Sequence, residues 1–135
     1  MARILLVDDE RNILKYYTEE LSGEGHQVVA VDSGDQLLNT IGFHQPDVVV
    51  LDIKLVGWDG LELLQDIRNR YYDLPVILCS AYETFKEDPR SIAADYYVIK
   101  SFDLSELKTK IRMATDTHLP AQTLETQNAL PPDSI

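Results

Sequence analysis

Cysteine is almost absent from this 135-residue chain: Cys79 stands alone, so no internal disulfide can form. It lies in the apolar run Val76-Ile77-Leu78-Cys79 and reads as a small core residue. Basic residues are scarce, with 12 Lys and Arg against 23 Asp and Glu and a net charge of −11. A field of that sign repels phosphate backbones and anionic lipid, which argues against nucleic acid and membrane surfaces as partners. No apolar run approaches the roughly 20 residues of a membrane-spanning helix. The start Met1-Ala2-Arg3-Ile4 soon meets two aspartates and is not expected to be a signal peptide, so a cytoplasmic location is expected. The nucleotide motifs GxGxxG and GxxxxGKS/T are missing. His26, His44 and His118 share no ligand spacing, which makes a zinc site unexpected.

What is present alternates regularly. Continuous apolar runs rich in β-branched residues occur at Ile4-Leu5-Leu6-Val7, Val28-Val29-Ala30-Val31, Val48-Val49-Val50-Leu51, Val76-Ile77-Leu78-Cys79 and Tyr96-Tyr97-Val98-Ile99. Runs that are apolar throughout suit strands buried on both faces of a parallel sheet. Between them lie stretches with helical spacing. The first carries Ile13, Leu14, Tyr17 and Leu21 and ends near Gly23 and Gly25; the second carries Leu37, Leu38 and Ile41 behind Ser33 as N-cap. The third carries Leu61, Leu64 and Ile67. The last carries Leu104, Leu107 and Ile111 behind Asp103, with Glu106 completing a capping box. Between the fourth and fifth runs, Pro89 limits the expected fourth helix to a short piece starting at Asp88 or Pro89.

The expected fold is therefore α/β, a doubly wound five-stranded parallel sheet of (βα)5 type. One domain is expected over residues 1–118. Residues 119–135, with three prolines and no apolar period, read as a C-terminal tail or linker with no effector domain.

In such a sheet, reactive groups gather at the carboxyl ends of the strands. Asp8, Asp9 and Glu10 follow the first run, Asp52 the third, Ser80 the fourth and Lys100 the fifth. Singly, an aspartate there can be a helix cap, a serine a turn cap and a lysine a solvated surface group. Together they form a crevice of carboxylates, one hydroxyl and one amine. Crowded carboxylates repel, and a hard divalent cation, best Mg²⁺, relieves them while leaving coordination positions for phosphate oxygens. A carboxylate beside that cation can attack a phosphoryl donor, with Lys100 neutralising charge on the transferring group.

These motifs resemble bacterial two-component receiver domains from about Arg3 to Thr117. The match lies in Leu6-Val7-Asp8-Asp9-Glu10, Asp47 through Asp52, Trp58-Asp59-Gly60 with Leu61-Glu62-Leu63, Ser80-Ala81, and Ala94-Asp95 through Tyr97 to Lys100. The resemblance implies a flavodoxin-like sheet of strand order 2-1-3-4-5 and Asp52 as phosphoacceptor. It implies Asp9 as direct Mg²⁺ ligand, Asp8 acting chiefly through metal-bound water, and the backbone carbonyl of Lys54 completing the protein's share of the coordination. Ser80 would be the switch hydroxyl, Tyr97 the switch aromatic (with Tyr96 as the alternative) and Lys100 the phosphoryl-binding lysine. The implied partners are a sensor histidine kinase or phosphotransfer protein and a downstream protein target or second copy, reached through the face between the fourth and fifth helices.

Three departures stand out. Val56 replaces the family's usual proline, so the loop after Asp52 is expected to be less constrained. Ser101 follows Lys100 where the family has a cis proline; a cis bond without proline costs about 2.5–4 kcal/mol, so trans is expected. The segment from Ser80 to Lys100 is short. Rival functions fit less well. A phosphate-independent interaction module would have lost an acid, Asp52 or Lys100. A flavin-phosphate site would be repelled by Asp8 and Asp9. A dehalogenase-type phosphatase would need an aspartate where Lys54 stands.

Overall fold

The computed structural model describes the backbone of residues 1–128 and the side chains of residues 1–116. Five strands form one parallel sheet: β1 (Arg3–Val7), β2 (Gln27–Val31), β3 (Val48–Leu51), β4 (Val76–Ser80) and β5 (Tyr96–Ile99). Their spatial order is β2-β1-β3-β4-β5, as expected. Four helices are α1 (Arg11–Gly23), α2 (Leu37–His44), α3 (Gly60–Arg70) and α4 (Ser105–Asn128).

Strand periodicity divides the apolar runs between two cores. Ile4, Leu6, Val48, Val50, Ile77, Cys79 and Val98 face one way, against Tyr17 and Leu21 of α1 and Leu107 and Ile111 of α4. Leu5, Val7, Val49, Leu51, Val76 and Leu78 face the other way, against Leu37 and Ile41 of α2 and Leu61, Leu64 and Ile67 of α3. Cys79 is thus a core residue, and burial pushes its thiol up to about 12. The adjacent tyrosines of β5 part in the same way. Tyr96 packs on the α1/α4 side and Tyr97 on the other.

Several local expectations are corrected. Ser33 is not the N-cap of α2. Its Oγ accepts from the Asp35 amide at 3.0 Å in a tight turn, and Gln36 caps the helix in the left-handed region, φ 59°. Asp103 does take the Ser105 amide at 2.9 Å, but its own amide donates to Ser101 Oγ at 3.0 Å, so Glu106 closes no capping box. The short fourth helix does start at Pro89 behind Asp88, as expected, but as a 3-10 turn, Pro89–Ala93, with a second 3-10 turn at Thr84–Glu87 before it; Asp88 accepts from the Arg90 amide at 2.9 Å. The predicted fifth helix is therefore α4. It continues to Asn128, into the segment read as a C-terminal tail or linker, and 129–135 lie outside the described residues. Ala121, Gln122, Leu124 and Glu125 are good helix formers. A helix can form without an apolar period.

After β3 the chain makes a small antiparallel hairpin, Lys54–Leu55 with Trp58–Asp59, turning through Gly57 at φ 79°. It leads into α3 at Gly60, whose amide donates to the Ile53 carbonyl at 2.7 Å. A Cβ on Gly60 would stand 2.2 Å from the Asp52 carbonyl oxygen and 2.6 Å from Ile53 Cα. These atoms are backbone, so nothing can yield cheaply. Gly60→Ala is expected to destabilise the fold by about 1–3 kcal/mol through overpacking. Urea denaturation is the measurement, and a variant as stable as wild type would show that the hairpin is free to move.

Candidate functional site

Register decides which side chains meet. Val7 of β1 is level with Leu51 of β3, so Asp8 and Asp52 leave adjacent strands side by side. Their backbones stay anchored: the Asp52 amide donates to the Val7 carbonyl at 3.0 Å and the Asp8 amide to Val31 at 3.2 Å. Ser80 is level with Ile99, and the Lys100 amide donates to the Ser80 carbonyl at 2.8 Å. All four positions thus open on one crevice, where strand order reverses between β1 and β3.

Asp8, Asp9 and Asp52 bring carboxylate oxygens within 4.8 Å of one another. Asp8 and Asp52 are buried, at 3% and 5% exposure, and Ser80 at 1%. Lys100 Nζ sits among them, 2.8 Å from Asp8 Oδ2, 3.1 Å from Asp52 Oδ2 and 3.2 Å from Glu10 Oε1. Burial is the largest influence on Asp52 and lifts its carboxyl to about 6; Lys100 opposes the rise and Asp8 adds to it. Burial works against the charge of Lys100, but its hydrogen bond to Asp8 and the fields of Asp52 and Asp8 hold its pKa above the usual lysine value. A cluster of oxygen donors this crowded, with one buried carboxyl so hard to ionise, suits a small hard cation.

Asp9 leans the other way, its Oδ2 accepting from the Val56 amide at 2.7 Å. A proline at position 56 has no amide to give, so the loop expected to be looser is tied to Asp9 directly. Lys54 pairs with Asp59 in the hairpin, and its Nζ lies 5.3 Å from the Tyr82 ring centroid. Trp58 in the same hairpin is partly exposed. Ser80 Oγ accepts from the Tyr82 amide at 3.1 Å, and Tyr97 donates its phenol proton to the Tyr82 carbonyl. The Lys86 ammonium stands over the Tyr97 ring at 5.6 Å. Burial raises the Tyr97 phenol pKa, with Ser80 opposing. Among the described residues no peptide bond is cis, so Lys100–Ser101 is trans, as expected.

Glu10, read among the acids after the first strand, is a third acid on Lys100. Other participants escape a reading of the strand ends. Arg90 bridges Asp88 at 2.8 Å and Asp59 at 3.1 Å, tying the second 3-10 turn to the hairpin. Asp59 Oδ1 meanwhile caps α3 through the Leu61 amide at 2.9 Å. Nothing in the spacing of Arg90 and Asp59 signals that contact.

The response regulator receiver domain family matches residues 4–112, and the chain belongs to that family. It is 35% identical over 114 residues to the heme response regulator HssR of Staphylococcus haemolyticus, covering 83% of this chain and 50% of that protein. It is 37% identical over 115 residues to the regulatory protein AtoC of Escherichia coli, covering 83% and 25%. The chain thus spans half or less of the length of these two relatives. Among solved structures, TrrA from Thermotoga maritima in complex with Mg²⁺ and beryllium fluoride superposes with a TM-score of 0.81 at 41% identity, covering 84% of this chain and 99% of that one. TrrA in complex with the histidine kinase ThkA superposes at 0.79, covering 84% and 98%.

The raised Asp52 carboxyl has a consequence for stability. With a folded value of about 6 against an ordinary 3.8, its contribution is fully present below about pH 4 and is lost as pH rises through 6. In metal-free buffer at pH 7, Asp52→Asn is expected to be more stable than wild type by roughly 1–3 kcal/mol, and equal to it near pH 4. Asp8 and Glu10 remain to hold Lys100. Thermal melts across that range are the measurement; a variant less stable at pH 7 would show that Asp52 is needed as a counter-ion.

Proposed function

We propose that this chain is a phosphoacceptor switch of a two-component system, taking a phosphoryl group onto Asp52 from a sensor histidine kinase or phosphotransfer protein. The observation that carries the reading is Asp52 itself: a buried carboxyl, shared between Lys100 and two further aspartates, at the mouth of the sheet. Its pKa of about 6 leaves it mostly ionised at neutral pH and able to act as nucleophile. An Asp52 oxygen forms the new bond to phosphorus as the P–N bond to the donor histidine breaks and that ring nitrogen leaves with the electron pair. Lys100, now 3.1 Å from Asp52 Oδ2, is close enough to follow the charge onto a phosphoryl oxygen. Ser80 Oγ is the hydroxyl available to donate to another once it gives up the Tyr82 amide. Mg²⁺, held by Asp8, Asp9, Asp52 and the backbone carbonyl of Lys54, would supply when bound the positive charge that lets a phosphoryl group approach this acidic pocket.

The signal would leave through Tyr97. Ser80, Tyr82 and Tyr97 form one chain of hydrogen bonds. Drawing Ser80 toward the phosphoryl group disturbs the Tyr82 carbonyl that holds the Tyr97 hydroxyl. The readout face then comprises the Thr84–Ala93 turns and α4, with a downstream protein or a second copy as reader.

Incubation with acetyl phosphate and Mg²⁺ is expected to add one phosphoryl group to wild type by intact mass and none to Asp52→Asn or in excess chelator. Full modification of either would overturn the mechanism. Tyr97→Ala is expected to take up phosphoryl at near wild-type rate but to narrow the ratio of partner or self-association affinity with and without beryllofluoride. An unchanged ratio would move the switch elsewhere, most directly to the loop from Ala81 to Pro89.

A further inference from the structure

The three residues after Lys100 bury nothing. Ser101, Phe102 and Asp103 are all exposed, Phe102 at 92%, and sheet hydrogen bonding ends with the Lys100 amide on Ser80. Such a loop should leave the lysine's backbone loose on its carboxyl side, since Ser101 also lacks the fixed φ that a proline would give. Two neighbouring hydroxyls of α1 hold it instead. Tyr17 Oη donates to the Ser101 carbonyl at 3.2 Å and accepts from the Ser101 amide at 3.4 Å. Tyr16 Oη donates to the Phe102 carbonyl at 2.7 Å. The rings pack edge to face with centroids 5.9 Å apart, and Tyr17 is 1% exposed. Burial pushes the Tyr17 phenol up to about 12, so it keeps its proton at any working pH.

We propose that Tyr16 and Tyr17 are positioning residues for phosphoryl transfer, clamping the Ser101–Phe102 backbone so that Lys100 stays aimed at Asp52. The assignment rests on the phosphoacceptor reading above. The clamp matters most when the ammonium exchanges Asp8 and Asp52 for a phosphoryl oxygen, because its two buried contacts are then broken and only the exposed Glu10 and its backbone anchors persist. Placement errors of an ångström at such a group are costly in rate. Neither tyrosine is among the proposed metal ligands, so transfer and metal binding should separate.

Phenylalanine at both positions keeps the rings and removes only the hydroxyls. In the double variant Tyr16→Phe/Tyr17→Phe, the rate of phosphorylation by acetyl phosphate at saturating Mg²⁺ is expected to fall about 5–20-fold, with smaller losses in each single variant. The half-saturating Mg²⁺ concentration should stay within about twofold, and amide hydrogen exchange at residues 101–103 should quicken. A double variant phosphorylated within about twofold of the wild-type rate would overturn the clamp, as would a rate loss matched by an equal rise in the Mg²⁺ requirement, the mark of a generally loosened site. Should the double variant fold poorly, Tyr16→Phe alone disturbs the core least; quickened exchange at residues 101–103 with a slower rate supports the clamp, and wild-type values of both overturn it. A wild-type chain that takes no phosphoryl group would overturn the phosphoacceptor reading itself, an outcome distinct from a phosphorylated wild type with an equally fast variant.

Discussion

Among the described residues, Lys100 is the one cation inside a pocket of carboxylates, and the mouth of the sheet is organised around it. Asp8, Asp52 and Glu10 all reach it within 3.2 Å, two of them from buried positions. Burying such a group is costly unless opposite charges meet at close range with their hydrogen bonds satisfied. The balance is still incomplete, since one ammonium faces three acids with Asp9 alongside. Burial, with the field of Asp8 added to it and Lys100 opposing, leaves Asp52 a carboxyl reluctant to ionise. A pocket left short of positive charge suits a further cation.

The surroundings hold that arrangement by backbone more than by side-chain packing. Gly60 lets α3 begin directly against the Asp52 and Ile53 backbone, which draws the hairpin across the pocket. The Val56 amide fixes the hairpin's tip to Asp9. Arg90 carries the connection onward, joining Asp59 at the hairpin's base to the Pro89–Ala93 turn. On the other face of α3, Arg68 reaches the Ala93 carbonyl at 2.6 Å and Asp95 at 2.8 Å. The segment between β4 and β5 is therefore pinned at its carboxyl end. Its amino end, from Ala81 to Glu87, lies closer to Ser80 and Tyr97. Two 3-10 turns have poorer hydrogen-bond geometry than an α-helix. A change at Ser80 therefore meets less resistance there than a full helix would offer.

Membership of the receiver family accounts for the sheet and for the residues at its strand ends, and this chain differs at two points where a family member would commonly carry proline. In both cases a hydrogen bond stands where a ring would. At Val56 the amide is used by Asp9, and at Ser101 amide and carbonyl are used by Tyr17. A restraint built from hydrogen bonds depends on partners elsewhere in the chain, so the restraint at these positions depends on Asp9 and on α1.

The sequence alone determined the order of elements, the parallel sheet and the roster of strand-end residues. Fully buried strands must be apolar throughout, helices must show one apolar stripe, and the residue after each strand is fixed by counting. Asp8, Asp9, Asp52, Ser80 and Lys100 were legible for that reason. Tertiary structure decided what local patterns cannot encode. Ser33 had the chemistry of a cap, but Gln36 took the position; Asp103 began a capping box, but Ser101 took its amide. The fourth helix became two 3-10 turns because Pro89 splits it and Arg90 and Arg68 hold the pieces against α3. The last helix outran its apolar period because helix propensity needs no packing face. Tyr16, Tyr17 and the Val56 amide came into play through contacts 47 to 86 residues apart in sequence. Distances of that kind are set by how strands register and helices pack, and no local window contains them.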